Sequence, residues 1–221
     1  MKLKIAPAIM DADLLRLGEV LEQLEQAGAD LFHVDVMDGH YVPSMVGCTR
    51  IVAAIKRLSS VPVDAHLMVS NPHQAVRWFL AAGADILMFH PDAAEAPEAI
   101  IEDIHKAGRL AGVALKPDTS ADLIRPFAGK VDCVLAMTVF PGFSGQAFLE
   151  SGCEKIPELR RMCRAGIDIY VDGGINTETA PIAVRYGANV LVAASAIFAS
   201  DVAPAEALER LRRAAEGALK T

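Results

Sequence analysis

The chain has 221 residues, of which 52% are hydrophobic and 22% charged, and its formal net charge is −7. This composition is too apolar for intrinsic disorder, and the length suits a single domain over 1–221. An acidic chain without a basic block is a poor match for nucleic acid or an anionic membrane. Any bound phosphate must therefore be held mainly by backbone amides and helix dipoles.

The sequence also indicates where the protein is found. No apolar run approaches the roughly 18 residues that a membrane span requires, so no membrane association is expected. The N-terminal segment reaches Asp11 and Asp13 after a short apolar run, which is unlike a signal peptide. The four cysteines have no CxxC spacing and are interpreted as reduced thiols of a cytoplasmic protein.

A pattern of helix, glycine and strand recurs along the chain. It is clearest in QAGADLFHV at 26–34, AAGADILMF at 81–89 and RYGANVLVA at 185–193. Glycine is typical of the residue that ends an α-helix in the left-handed backbone conformation. The apolar run after it is typical of a buried parallel strand. Asn71-Pro72 indicates a helix start, with the asparagine as N-cap and proline at the first helical position.

This pattern predicts eight strands alternating with eight helices. The strands are expected near 4–9, 31–36, 62–67, 86–90, 112–115, 131–137, 168–172 and 190–193. The helices are expected at about 13–27, 48–58, 72–82, 95–107, 119–127, 149–164, 177–186 and 203–218. Eight units of about 28 residues predict a (β/α)8 TIM barrel. The rival, a doubly wound open sheet, would need a glycine-rich fingerprint after the first strand, where this chain has APAIMDAD.

A barrel places its active site at the C-terminal ends of the strands. Seven of the eight predicted strands end in a polar or ionisable residue, and the complete set of ends is Ala8, Asp35, His66, His90, Lys116, Thr138, Asp172 and Ser195. His33 and Asp35 are two residues apart, so both face the barrel interior. Two histidines and two carboxylates at one mouth need a cation to offset the carboxylates. The pattern therefore predicts a site for one Zn²⁺, Fe²⁺, Mn²⁺ or Co²⁺ ion.

Three small-residue loops indicate an anion site beside this cluster. They are PGFSG at 141–145, DGGIN at 172–176 and AASAIF at 193–198. Glycines let backbone N–H groups approach an anion, and helix N-termini favour negative charge. Barrels often bind phosphate with the loops after the seventh and eighth strands, so a phosphate group is expected here.

The strings HVDVMDGHYVP, DAHLM, MTVFPGFSGQAF, VDGGIN and VAASAIF resemble the ribulose-phosphate 3-epimerase family. The resemblance runs in order from IAP at 5–7 to SAIF at 195–198. It implies a (β/α)8 isomerase, an epimerase that interconverts D-ribulose 5-phosphate and D-xylulose 5-phosphate, and assembly as a homo-oligomer.

The resemblance also implies a role for particular residues. The metal ligands would be His33, Asp35, His66 and Asp172, and Asp35 and Asp172 would be the catalytic acid/base pair. Substrate contacts would come from Ala8, His66, Gly142, Phe143, Ser144, Gly145, Gly173, Gly174, Ala194 and Ser195. The thioethers beside the reacting carbons and the enediolate would be those of Met37, Met68 and Met137.

The chemistry of such a reaction agrees with these roles. Inverting a carbon next to a carbonyl needs two acid/base groups on opposite sides of the substrate. The aspartates belong to well-separated strands and can flank it. A metal that binds both oxygens of the enediolate stabilises it as a Lewis acid.

Several positions depart from the family pattern. Ala8 replaces a serine, the loop at 44–47 is one residue shorter, and Lys116 replaces an asparagine. Phe140 stands where a polar residue is common, and Ala194 replaces a glycine. Because these changes lie where substrate is shaped, the reaction class is better defined than the sugar.

Three competing functions are consistent with parts of the sequence. A D-allulose 6-phosphate 3-epimerase is the strongest of them, supported by His90-Pro91 and by the residues at 137–139. A Schiff-base aldolase would use Lys116 at its strand end as the nucleophile. A non-catalytic sugar-phosphate binder is disfavoured, because binding alone needs no carboxylate on each side of the ligand.

Overall fold

The computed structural model describes residues 2–219, in which strands and helices alternate as expected. The strands are β1 (Lys4–Pro7), β2 (Phe32–Asp38), β3 (Met45–Val46), β4 (Val63–Met68), β5 (Ile86–Phe89), β6 (Leu110–Leu115), β7 (Cys133–Met137), β8 (Asp168–Asp172) and β9 (Val190–Ala193). The α-helices are α1 (Leu17–Gln26), α2 (Thr49–Leu58), α3 (Pro72–Ala82), α4 (Pro97–Lys106), α5 (Ile156–Met162), α6 (Ala180–Tyr186), α7 (Ser195–Phe198) and α8 (Pro204–Gly217).

Eight of these strands form a closed parallel barrel. The hydrogen-bonded order is β1-β9-β8-β7-β6-β5-β4-β2, and a parallel bridge between Ala8 and His33 joins β1 to β2. All eight predicted strands are therefore present, and the predicted (β/α)8 barrel is confirmed. Every helix within residues 2–219 is too short or too polar to cross a membrane.

The structure differs from the predicted elements in several places. The strand β3 was not expected; it pairs antiparallel with the end of β2, at Met37 and Asp38. The helix predicted at 119–127 is a 3₁₀ helix, Ala121–Phe127, with Pro126 inside it. Proline lacks the N–H that an α-helical turn would use. The helix predicted at 149–164 is divided into a 3₁₀ turn, Glu150–Gly152, and α5.

The helix ends follow the predicted local chemistry. The Asn71 side chain accepts a hydrogen bond from the backbone N–H of Gln74, with Pro72 as the first residue of α3. Gly83 closes the same helix in the left-handed conformation, with φ of 95°. This allows the chain to turn directly into β5.

Two layers of buried side chains form the core. The larger cluster lies between the sheet and the surrounding helices, and the smaller one fills the barrel interior. Interior residues alternate along each strand, since successive side chains point to opposite faces of a sheet. The interior cluster includes Met88, Cys133, Met137, Tyr170 and Val192. A packed interior leaves only the mouth of the barrel for a ligand.

Candidate active site and metal centre

Strand register brings the predicted metal-binding residues together at one mouth of the barrel. In the β2–β4 pair Asp35 lies opposite His66 and His33 lies opposite Asp64. In the β7–β8 pair Asp172 lies opposite Met137. As a result, one ligand atom from each of His33, Asp35, His66 and Asp172 lies within 4.8 Å of the others.

The two histidines present different ring nitrogens to this cluster. His33 Nε2 lies 3.2 Å from Asp35 Oδ1, whereas His66 uses Nδ1, which lies 3.0 Å from the same oxygen. His66 Nδ1 is also 3.9 Å from Asp172 Oδ2. These nitrogens and carboxylate oxygens thus surround one point.

Buried side chains lie behind the remaining ring nitrogens. His33 Nδ1 lies 2.5 Å from Asp64 Oδ1, and His66 Nε2 lies 3.0 Å from His90 Nε2. Both imidazoles are fully buried, while the side chains of Asp35 and Asp172 are 18% and 16% exposed. The carboxylates therefore face the mouth of the barrel and the imidazoles lie beneath it.

The cluster fits a divalent transition metal. Two imidazole nitrogens and two carboxylate oxygens are donors that such ions accept, whereas Ca²⁺ and Mg²⁺ prefer all-oxygen sites. Two carboxylates held this closely in a buried site are unfavourable unless a cation or a proton lies between them. The residues can thus bind a metal ion, whose identity the donor set leaves open.

The pKa values of the two aspartates move in opposite directions in the absence of a metal. Burial raises the pKa of Asp35, but the charges and hydrogen bonds of His33 and His66 outweigh burial and hold it well below its usual range. Burial and the neighbouring Asp35 carboxylate raise the pKa of Asp172 to about 6. The two carboxyl groups therefore take up a proton over different pH ranges, as is common in acid/base sites.

The pKa values of the buried histidines also diverge. Burial lowers the pKa of His33, but Asp64 and Asp35 reverse that effect and raise it well above its usual range. Burial, His66 and Lys116 lower the pKa of His90 well below its usual range. His90 is therefore a neutral hydrogen-bonding partner for His66.

A cavity of about 200 Å³ opens above the cluster. Its wall contains both aspartates, and most of the residues predicted to contact substrate also line it. These are Met37, Met68, Met137, Gly142, Phe143, Ser144, Gly145, Gly173, Gly174, Ala194 and Ser195. The three methionines and the three small-residue loops therefore share one cavity with the carboxylates.

The loop after β8 needs its glycines. A Cβ on Gly173 would lie 2.5 Å from Val139 Cγ2, and one on Gly174 would lie 2.7 Å from the backbone nitrogen of Phe148. Both glycines also have positive φ, at 116° and 66°. Only glycine thus allows the loop to pack so closely against its neighbours.

Three residues singled out in the sequence are not among the described residues that line the cavity. Ala8 is buried beside His33, and its backbone N–H donates to the carbonyl of Ala193, so it belongs to the barrel wall. Ala8 and His66 are not among the described residues that line the cavity. The side chain of Lys116 lies 2.5 Å from Asp92 and over the ring of Tyr41, also outside that lining.

Sequence reasoning missed several residues of the site. Asp11 and Gln146 line the cavity, although neither was predicted to contact substrate. Asp64 was also missed, although it is two residues before His66 and therefore on the same face of β4. That parity was the available signal, but the partner of Asp64 is 31 residues away and depends on strand register.

The sequence was compared with models of protein families and with known proteins, and both comparisons identify the same family. The model of the Ribulose-phosphate 3 epimerase family matches residues 4–198. Ribulose-phosphate 3-epimerase of Methanocaldococcus jannaschii is 46% identical over 98% of this chain and 93% of its own length. The enzyme of the same name from Bacillus subtilis is 42% identical over 89% of this chain and 92% of its own length.

Solved structures show the same fold at low sequence identity. 3-Hexulose-6-phosphate synthase from Salmonella typhimurium superposes with a TM-score of 0.73 at 16% identity, covering 98% of this chain and all of that one. This likeness supports the barrel fold alone. The family match over most of the chain and the two close relatives lead to one conclusion: the chain belongs to the ribulose-phosphate 3-epimerase family.

Proposed function

We propose that the protein is a metal-dependent epimerase that inverts C3 of a ketose phosphate, interconverting D-ribulose 5-phosphate and D-xylulose 5-phosphate. The observation that carries the proposal is the pair of carboxylates, Asp35 and Asp172, in one cavity. They come from β2 and β8, which are separated around the barrel by β1 and β9. A carboxylate on each side of a bound ketose is what inversion at C3 requires.

In this mechanism one aspartate removes the C3 proton and the other delivers a proton to the opposite face. The roles of Asp35 and Asp172 exchange when the reaction runs in reverse, because the substrate and product differ only in configuration at that carbon. A divalent ion held by His33, Asp35, His66 and Asp172 would supply Lewis-acid stabilisation of the negative charge on the substrate oxygens. Zn²⁺, Fe²⁺, Mn²⁺ and Co²⁺ all suit this donor set.

The cavity walls have two further roles. Met37, Met68 and Met137 provide a polarizable apolar surface that keeps water away from the reacting carbons. The loops at 142–145, 173–174 and 194–195 provide backbone N–H groups for the phosphate. An adjoining cavity of about 580 Å³ shares Gly145, Gly174 and Ser195 with the first, so these residues border both cavities.

The test is a substrate panel containing D-ribulose 5-phosphate, D-allulose 6-phosphate and unphosphorylated D-ribulose. NMR in deuterated water follows the configuration and deuterium content at C3. We expect the pentulose phosphate to give the highest kcat/KM, and solvent deuterium to appear at C3 of the product. A higher kcat/KM for the hexulose phosphate would indicate a D-allulose 6-phosphate 3-epimerase instead. Equal turnover of free ribulose would refute the phosphate site.

Matched variants test the roles of the two carboxylates. Asp35→Asn and Asp172→Asn should each lower kcat by several orders of magnitude, with the metal content of each variant measured beside its activity. Asp122→Asn, at an exposed position outside the linings of both cavities, is the control that should behave as wild type. Inversion at C3 without any exchange with solvent would contradict proton transfer through two independent carboxylates.

We also propose that residues 1–221 form one domain, and that the protein is cytoplasmic and a homo-oligomer. The single barrel sheet containing the strands from β1 to β9 supports the first point. The other two rest on the composition and on family resemblance. Light scattering of the purified protein measures its mass directly, and a monomer would contradict the assembly.

A further inference from the structure

We propose that Asp64 is a positioning residue that orients His33 for metal binding. It would do so by accepting the Nδ1–H of the imidazole, which leaves Nε2 as the nitrogen that faces the metal. This inference rests on the metal centre of the proposed function. It concerns Asp64, which is not itself a metal ligand but contacts one, His33.

The backbone places the two side chains face to face. His33 and Asp64 are register partners in the β2–β4 pair, and both have the inward parity of their strands. Asp64 Oδ1 lies 2.5 Å from His33 Nδ1, whereas Asp35 Oδ1 lies 3.2 Å from Nε2 of the same ring. Within residues 2–219, His33 Nδ1 and the Asp64 oxygens have no other hydrogen-bond partner. Both residues have no exposed surface, so solvent does not compete for the contact.

Burial explains why this contact would fix the ring. A carboxylate without water is unfavourable unless it is paired and hydrogen-bonded. Within residues 2–219, His33 is the only basic group at ion-pair distance from Asp64. A carboxylate with this one partner favours a proton on Nδ1, and a neutral ring then has its lone pair on Nε2.

The second histidine is held differently, which makes the arrangement specific. His66 has another imidazole, that of His90, behind its ring at 3.0 Å. It therefore presents Nδ1 to the cluster, whereas His33 presents Nε2. A carboxylate behind a histidine ligand raises its basicity as well as fixing its tautomer, and loss of such a partner typically weakens metal binding 10- to 100-fold.

The experiment compares Asp64→Leu and Asp64→Asn with a matched control, Tyr170→Phe. Tyr170 is also fully buried in the barrel interior, where burial, Cys133 and Asp64 together raise the pKa of its hydroxyl. Co²⁺ affinity of the full-length protein is measured by competition with a chelator. In parallel, ¹⁵N-histidine NMR of the Zn²⁺-loaded wild type identifies which nitrogen of His33 carries the proton.

We expect Asp64→Leu to weaken Co²⁺ binding by about 10- to 100-fold, with a smaller loss for Asp64→Asn, whose amide oxygen still accepts a hydrogen bond. Tyr170→Phe should bind Co²⁺ within about twofold of wild type, because the Tyr170 hydroxyl is not paired with a metal-ligating side chain. In the wild type the proton should be on Nδ1. A merely structural role would instead lower the thermal stability of the metal-free Asp64 variants and leave their Co²⁺ affinity within about twofold of wild type.

Two results would overturn the inference: wild-type Co²⁺ affinity in folded Asp64→Leu and Asp64→Asn, or a proton on Nε2 of wild-type His33. A wild type that binds no Co²⁺ would overturn both the inference and the metal centre. A wild type that binds Co²⁺ in an Asp64-dependent way without epimerising any substrate would refute only the proposed function.

Discussion

Asp38, at the end of β2, shows how one side chain shapes the mouth of the barrel. Its carboxylate accepts hydrogen bonds from the backbone N–H groups of His40, Tyr41 and Ser70, and from the Ser70 hydroxyl, at 2.7–2.9 Å. Burial raises the pKa of Asp38, but these donors outweigh it and lower the pKa well below its usual range. The loops after β2 and β4 are thereby tied together.

We therefore expect Asp38→Ala to destabilise the fold by about 1–3 kcal/mol at pH 7. A carboxyl with a lowered folded-state pKa contributes stability above its unfolded pKa, and that contribution is lost as pH falls through the folded value. The difference from wild type in urea unfolding should shrink as pH falls below about 4. A difference independent of pH between 7 and 3 would contradict this account.

Gly47 is a second residue on which the site depends. Its φ is +70°, and a Cβ there would lie 2.1 Å from the carbonyl oxygen of Asp35. We expect Gly47→Ala to displace the β2 end, destabilise the protein by more than about 1 kcal/mol and weaken metal binding. Gly18→Ala is the control, because this position in α1 has no atom within 4 Å of the added Cβ. Equal behaviour of the two variants in unfolding and Co²⁺ titration would be evidence against the clash.

At the scale of elements, the loop after β7 is held by one amide. The Gln146 side chain donates hydrogen bonds to the carbonyls of Phe140 and Phe143, at 2.7 and 2.8 Å. These bonds fix the turn that carries Gly142 and Ser144 over the cavity. Gln146 also lines the cavity itself.

Gln146→Met keeps the approximate size of the side chain and removes both donors. We expect KM for the phosphorylated substrate to rise by about tenfold, with a smaller change in kcat, because a looser loop binds the phosphate less well before chemistry. Steady-state kinetics measures the two effects. Unchanged KM would mean that the loop keeps its shape without Gln146, and a large fall in thermal stability would indicate a wider structural role.

At the scale of the whole molecule, metal binding should couple to the stability of the barrel. The four ligands come from β2, β4 and β8, so an ion would connect strands that lie on either side of β1 and β9. An ion that binds only the folded state at 100 times its Kd adds about 2.7 kcal/mol. For a chain of this size we expect the Tm of chelated protein to rise by about 5–10 °C.

Differential scanning calorimetry of chelated protein with increasing Co²⁺ tests this coupling. Asp172→Asn, which removes the ligand from β8, should show a smaller rise at the same Co²⁺ concentration. Full turnover after exhaustive removal of metal would refute the metal requirement. If the Tm did not change at Co²⁺ concentrations that restore turnover, the ion would bind outside this cluster.

Much of the barrel was determined by the sequence alone, because its signals are local. Apolar runs, most of them preceded by a glycine, predicted all eight barrel strands, and Asn71-Pro72 predicted the start of α3. Parity along β2 predicted that His33 and Asp35 share a face. The barrel in turn predicted that Asp172 would join them at the same mouth.

Tertiary structure decided what depends on distant partners. Strand register set His33 against Asp64 and His66 against Asp35 across β2 and β4, and the ring orientations then selected Nε2 of one histidine and Nδ1 of the other. The pairing of β3 with β2 and the bridge between Ala8 and His33 also arise from packing between separate segments. Local sequence encodes propensity and periodicity, whereas distances between side chains far apart in the chain exist only after the barrel closes.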